Sequence, residues 1–228
     1  MIESKNRCFW KVSRFMAPLA LTGLTALTAC SIREPDVVRG VGHQVANIYE
    51  APGRTSVSRV AVLPLSAENE HKNLESDLGG LERILQKELF ANQLFEVVSI
   101  SSDWLRRETG RSVWQVNEPI PHDLLARIMA FYRCDAVLFS HITDYHPYPP
   151  MRIGWRLKLV SALNGDLLWS ADEIFDASEK PVATSARLYY QTHQWGSSAN
   201  GHSRSILDSP SRFSAYAIAS IVQTYGKK

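Results

Sequence analysis

Two β-rich runs of nearly equal length, residues 151–162 and 166–177, flank the dipeptide Asn164-Gly165, and no other stretch restricts the fold as tightly. An Asn-Gly pair between alternating runs is the strongest short-range sign of a hairpin, because both residues tolerate the positive φ of a tight turn. In the first run Ile153, Trp155, Leu157 and Leu159 share one face, while Arg152, Arg156 and Lys158 share the other. In the second, Leu167, Trp169, Ala171 and Phe175 fall on one parity. Register decides whether the apolar rows meet, since a slip of one residue turns every side chain to the opposite face. A two-residue loop pairs Leu157 with Asp172. A three-residue loop, Leu163-Asn164-Gly165, pairs Leu159 with Trp169, Leu157 with Ala171 and Arg156 with Asp172, and places Gly165 in a left-handed bulge. The three-residue loop is the predicted one.

The remaining elements follow from local pattern. Arg59-Val60-Ala61-Val62-Leu63-Pro64-Leu65 reads as a buried strand closed by proline. Leu74, Leu78, Leu81, Leu85 and Leu89 recur at helical steps and predict a helix, with Gly79 and Gly80 weakening its first turns. A second strand over 94–100, a short helix over 103–109 and a loop over 110–118 come next. Pro121 opens a further helix that runs to Tyr132, and a third strand covers 135–145. Pro181 starts a helix whose Val182, Ala186, Tyr189 and Tyr190 face inward. Ser209-Pro210 caps a last one carrying Phe213, Ala217, Ile221 and Tyr225, with Gly226 as its stop. Residues 196–208, rich in Gly and Ser, read as a mobile surface loop. Together these predict one α+β domain over 59–228, with a mixed sheet of about five strands and helices on both sides.

This order of elements resembles a periplasmic fold shared by the TolB amino-terminal domain, the LpoB activator of penicillin-binding proteins, the curli secretion lipoprotein CsgG and the exopolysaccharide lipoprotein PelC. The opening strand quoted above carries the likeness, with Phe95-Glu96-Val97-Val98, Cys134-Asp135-Ala136-Val137-Leu138 and the hairpin segment Leu163-Asn164-Gly165-Asp166-Leu167-Leu168-Trp169. It spans about residues 59–178 and consists of core pattern and turn chemistry. The resemblance implies an envelope protein that activates or scaffolds a larger machine. Two departures stand out. Residues 145–151 are too short for the long membrane-inserting hairpin of the group's secretion pores, which argues against a self-inserting pore. Ser140 and His141 stand where the group's third strand usually ends near a glycine.

The N-terminus predicts where such a domain works. Lys5, Arg7, Lys11 and Arg14 precede an uncharged run over 15–27, the layout of a secretory signal. That run is too short for a membrane-spanning helix, which needs about 20 residues. It ends in Leu27-Thr28-Ala29-Cys30, which resembles a lipobox. The resemblance implies a signal peptide over 1–29 and a mature chain starting at Cys30, which carries a diacylglycerol and an N-acyl lipid such as palmitate. No other cofactor is expected. Ser31, rather than Asp, follows the cysteine, and by the same resemblance this implies the outer membrane, facing the periplasm. Residues 30–58 contain Pro35, Gly40, Gly42, Pro52 and Gly53 without sustained periodicity and read as an anchor and flexible tether, of which 37–49 could dock on the domain.

Composition agrees with export. Cleavage removes four of the 25 basic residues and one of the 23 acidic ones, leaving 21 against 22. The basic balance of the precursor thus belongs to its signal, and nothing in the bulk charge points to nucleic acid. Of three cysteines, Cys8 leaves with the signal and Cys30 is acylated, so Cys134 has no partner for a disulfide.

The most distinctive candidate for contact is Asp144-Tyr145-His146-Pro147-Tyr148-Pro149-Pro150-Met151-Arg152, in which prolines stiffen a loop that offers tyrosines at low entropic cost. Tyr145, His146, Tyr148, Arg152, Arg156 and Lys158 are the expected partner-binding residues, meeting a protein or the acidic groups of a glycan or lipid headgroup. No catalytic or metal-binding residue is expected. His141 and His146 fall on opposite faces of a regular strand, and no HExxH, CxxC or acid cluster accompanies them. Gly201-His202-Ser203-Arg204-Ser205 lacks the last glycine and the preceding strand of a nucleophile elbow. Trp155, Trp169, Phe175 and Phe213 sit at core periodicity, whereas Trp104, Trp114 and Trp195 lie in less regular contexts.

The expectation is therefore a lipid-anchored, noncatalytic accessory protein that binds and positions or activates an envelope machine, either a cell-wall synthase or an export system. One alternative is a homo-oligomeric, ring-forming subunit of a secretion or polysaccharide export channel. Another is an envelope hydrolase or glycan-binding protein, which requires a convergent polar cleft. The anchor has a direct test. Replacing Cys30→Ala should abolish incorporation of labelled palmitate and leave the precursor uncleaved; a labelled, processed Cys30→Ala protein would refute the assignment.

Overall fold

The apolar rows of the hairpin do meet, and a seven-stranded mixed sheet is organised around them. The computed structural model describes residues 38–53, 56–67, 74–193 and 203–226. In chain order the elements are β1 (Ile48–Glu50), β2 (Arg59–Val62), β3 (Ser66–Ala67), α1 (Leu74–Asn92), β4 (Glu96–Ser99), α2 (Ser102–Thr109), α3 (His122–Tyr132), β5 (Ala136–His146), β6 (Arg152–Ser161), β7 (Leu167–Asp176), α4 (Lys180–Thr192) and α5 (Pro210–Val222). The strand order is β1-β7-β6-β5-β2-β4, with β3 also paired to β5. β2 is parallel to both β4 and β5, while β5, β6, β7 and β1 are antiparallel to their neighbours in turn.

Within the hairpin, Leu159 pairs with Trp169, Leu157 with Ala171 and Arg156 with Asp172, as the three-residue loop predicts. The turn itself differs. Ser161 N donates to Asp166 O and Gly165 N to Ser161 O, so four residues lie between the last pair, and Gly165 has φ +77°. The register is restored between Leu159 and Val160, where Leu168 is the extra residue of a bulge. A bulge places two successive residues against one. Hence Leu168 and Trp169 both join one core cluster, and Leu167 packs against the other instead of sharing the face of Trp169.

The two clusters lie on the two faces of the sheet. On one, Trp155, Leu157, Leu159, Ala171 and Phe175 pack against α1, α4 and α5. The inward residues of α4 are Val182, Ala186, Tyr189 and Tyr190, as its period predicts. On the other, Ala61, Leu63, Val137 and Phe139 pack against Trp104 and Leu105 of α2 and Leu124, Leu125 and Ile128 of α3. Trp104 and Trp114 are both buried here; Trp195 lies outside the described residues. Asp135 joins the central strands, its carboxylate accepting Ser58 N at 2.8 Å and Arg59 N at 2.9 Å.

The two strands beyond the expected five are short and lack alternation. Ser66–Ala67 extends the opening run past its proline. Ile48–Glu50 falls inside the stretch read as tether, yet it pairs with β7 at the sheet's edge. Three residues hold too little pattern to announce a strand; their pairing is specified by β7. Ser203–Asp208, inside the expected mobile loop, forms a 3-10 turn that buries Ile206.

A second bulge interrupts β5 against β6 between Ile142 and Asp144, leaving Thr143 as the extra residue. Opposite it, a Cβ on Gly154 would lie 2.2 Å from Thr143 Oγ1 and 3.0 Å from Asp144 N. Gly154 is therefore required for the close approach of the two strands. Gly154→Ala should destabilise the domain by about 1–3 kcal/mol, read as a lowered midpoint of thermal unfolding. Adding Thr143→Ala should recover part of the loss, and an unchanged midpoint in the single variant would contradict this packing.

Candidate functional site

The bulge at Thr143 also decides which of the expected contact residues reach the surface. It shifts parity, so that Tyr145 pairs with Ile153 and joins the buried face, while His146 pairs with Arg152 on the opposite one. Tyr145 is buried and its hydroxyl donates to Asp77 Oδ2 at 2.8 Å, tying β5 to α1. It is not part of an exposed contact surface. The same shift overturns the expectation that His141 and His146 point apart, because His141 pairs with Arg156 and so shares the face of His146. His141 is buried beside β3, where Ser66 Oγ donates to Ser140 O at 2.9 Å and lies 2.8 Å from His141 Nδ1. With its one proton given to the carbonyl, the serine oxygen accepts from an Nδ1–H imidazole.

Tyr148, at the tip of the 147–150 loop, is 64% exposed, with the His146 ring edge-on to it at a centroid distance of 6.3 Å. The basic stripe lies beside this loop, but it is largely neutralised. Arg152 Nε donates to Asp144, and Arg156 Nε donates to Asp172 Oδ2 across the strand pair at 2.7 Å. Lys158 follows them and faces a groove bordered by Tyr49, Asn117 and Ser170. Helices α2 and α3 stop at the level of Val160 and Leu167 on this side. Among the described residues, no helix covers the outer part of β6, β7 and β1, where Ile174 is 52% and Tyr49 47% exposed. The structure thus brings His146, Tyr148, Arg152, Arg156 and Lys158 to one open sheet face and removes Tyr145 from it.

A second concavity, of about 640 Å³, lies on the opposite side of the sheet between residues 43–50, α4 and α5. Its first wall is the docked segment before and within β1. His43 N donates to Ser185 Oγ at 2.8 Å, and His43 Nε2 lies 3.1 Å from Glu173 Oε1. The other Glu173 oxygen accepts Ala46 N and Asn47 N at 3.2 and 3.4 Å, and the His43 ring meets Phe175 edge-on. The helices supply hydroxyl-bearing residues at helical spacing: Ser185, Tyr189 and Thr192 from α4, with Tyr216, Ser220 and Thr224 from α5 and its end, the two phenol oxygens lying buried behind the wall. Tyr189 stacks on His193 with centroids 4.0 Å apart. Behind it, burial pushes the Glu88 carboxyl above its ordinary range, while Lys87 and the Tyr189 hydroxyl hold it back.

None of these cleft residues stands out in the sequence, because they come from three segments more than a hundred residues apart at the extremes. The one available signal is the i, i+4, i+7 stripe of hydroxyls beside the apolar stripe of α4 and its counterpart on α5.

Tyr145, Tyr189 and Tyr216 share one electrostatic property, which Tyr132 has to a lesser degree. Burial is the main cause that raises the pKa of Tyr145, Tyr189 and Tyr216, reinforced by Asp77 for the first and Glu88 for the second. Tyr216 is pushed up to about 12. Each phenol is held neutral in the fold, whereas in the unfolded chain it ionises near pH 10. This stabilisation is complete below about pH 10 and is lost as pH rises toward the folded values. Titration at 295 nm should show at least three tyrosines resisting ionisation until the protein unfolds in alkali; Tyr145→Phe should lower that number by one. All tyrosines ionising near pH 10 in the folded protein would refute these burials.

No family model and no curated relative matches the chain. Solved structures resemble it. The PelC dodecamer from Paraburkholderia phytofirmans is 16% identical with a TM-score of 0.45, the match covering 79% of this chain and 96% of that one. A lipoprotein from Neisseria meningitidis is 14% identical with a TM-score of 0.40 over 60% of this chain and 99% of its own. The C-terminal domain of LpoB from Escherichia coli is 17% identical, with a TM-score of 0.36 over 54% and 86%. PelC and LpoB both belong to the group that the strand and hairpin motifs resemble.

Proposed function

We propose that this chain is a lipid-anchored, noncatalytic accessory protein of the outer membrane, facing the periplasm, which binds and positions or activates a protein machine of the envelope through its open sheet face. The signal and Cys30 motif support the location. The observation that carries the binding role is the uncovered part of β1, β7 and β6, where Tyr49 and Ile174 lie exposed on one face and Tyr148 projects at its end. Exposed aromatics on rigid supports, rimmed by polar groups, are what a protein interface uses.

The ion pairs select between kinds of partner. Arg152 and Arg156 already face Asp144 and Asp172, so an anionic lipid headgroup or glycan would have to compete for guanidinium groups whose charge is spent within the sheet. A protein surface of mixed polarity needs no such exchange. Confinement at the membrane raises the effective concentration of domain and partner, which permits a modest interface to act.

A photocrosslinking residue at Tyr148, introduced in the full-length chain in cells, should capture one envelope protein reproducibly, and the same residue at Arg83 on α1 should not. Adducts only between copies of this chain would replace the accessory role with a ring-forming one. Equal, unspecific labelling from both positions would overturn the contact face.

A further inference from the structure

We propose that the cleft between residues 43–50, α4 and α5 is a binding site for an uncharged saccharide, separate from the open sheet face and independent of the accessory role. Its volume, about 640 Å³, falls within the range of small-molecule sites, roughly 300–1,000 Å³. The chemistry of its walls then selects the ligand. Its polar lining is the hydroxyls of Ser185, Thr192, Ser220 and Thr224, the side-chain amides of Gln44 and Gln223, and the carboxylate of Glu50, whereas the hydroxyls of Tyr189 and Tyr216 are buried behind it. Thr192, Ser220 and Thr224 give their protons to helix carbonyls and so meet the cleft as acceptors, while each amide offers one donor and one acceptor group. This acceptor-rich lining complements a ligand that carries many hydroxyl donors with a few acceptors, as a sugar does.

Other ligand classes fit less well. Among the described residues no lysine or arginine lines the cleft, so a phosphate, carboxylate or sulfate would find no cation there. A wholly apolar ligand would strip water from these hydroxyls and amides without replacing their hydrogen bonds, which is costly. Leu188 and the stacked pair Tyr189–His193, tilted by 27°, add a flat and partly apolar surface suited to the C–H side of a sugar ring. Two of the three walls are helices held by the core, through Ala186 and Tyr190 on α4 and Phe213, Ala217 and Ile221 on α5. The polar groups are thereby preorganised, and binding need not order them.

The test uses the full-length lipidated chain in detergent and three neutral probes: the N-acetylglucosamine trimer, maltotriose and cellotriose. Calorimetry and saturation-transfer NMR at millimolar concentration should detect at least one of them. The double variant Thr192→Val with Gln223→Ala alters two exposed positions and should keep the thermal midpoint while weakening that affinity about tenfold. Lys158→Ala, on the opposite face, should leave it unchanged. Absence of binding by all three probes would overturn the proposal, as would binding unaffected by the double variant. Tighter binding of the deacetylated, cationic glucosamine trimer would overturn the assignment of an uncharged ligand. None of these outcomes depends on crosslinking from Tyr148, so the two surfaces stand or fall separately.

Discussion

Strand β6 is paired along both edges, and its Ile153, Trp155, Leu157 and Leu159 are all buried, so a slip of one residue against either neighbour would exchange four apolar side chains for Arg152, Arg156 and Lys158. The register of this one strand sets which face α1, α4 and α5 can cover. It also sets where the arginines meet their carboxylates, and hence which part of the sheet stays open. Both bulges, at Thr143 and Leu168, sit where β6 and a neighbour would otherwise fall out of step. They redirect Tyr145 and Leu167 without disturbing the central pairs.

What could be read from the sequence is what repeats over several residues. Alternation over ten residues located β6 and β7 and their pairing, and the leucines of α1 and the inward residues of α4 followed from helical period. What escaped depends on a single residue or on a distant partner. The extra Leu168 preserves the predicted pairing while changing the turn, an event that parity alone does not reveal. Thr143 similarly turns Tyr145 inward, so one expected contact residue became a buried link to Asp77. Ile48–Glu50 is a strand because β7 and Glu173 make it one, and no pattern of its own says so. The cleft escaped for the same reason, since its walls meet only once the sheet has brought residues 43–50 beside two C-terminal helices.

The two proposed surfaces lie on opposite faces of the sheet and differ in character. One is open, with Arg152 and Arg156 paired to carboxylates and Tyr49 and Tyr148 exposed. The other is concave, rich in hydroxyls and backed by buried tyrosines whose protons are held tightly. A protein partner and a saccharide could thus be engaged together, because neither surface borrows a residue from the other; Ile48 alone borders the concavities on both sides.

The docked segment also fixes a distance. With β1 paired and His43 held by Glu173 and Ser185, the linker that remains between the lipid proposed on Cys30 and the latched segment is the twelve residues 31–42, not the 28 that precede Arg59. Even fully extended, twelve residues span at most roughly 42 Å. On the proposed Cys30 anchor, this would hold the domain to a shallow layer above the membrane, about one domain diameter deep, instead of letting it sweep the width of the periplasm. Any machine it serves would have to present its docking surface within that layer, and releasing the latch at Glu173 would be the way to lengthen the leash.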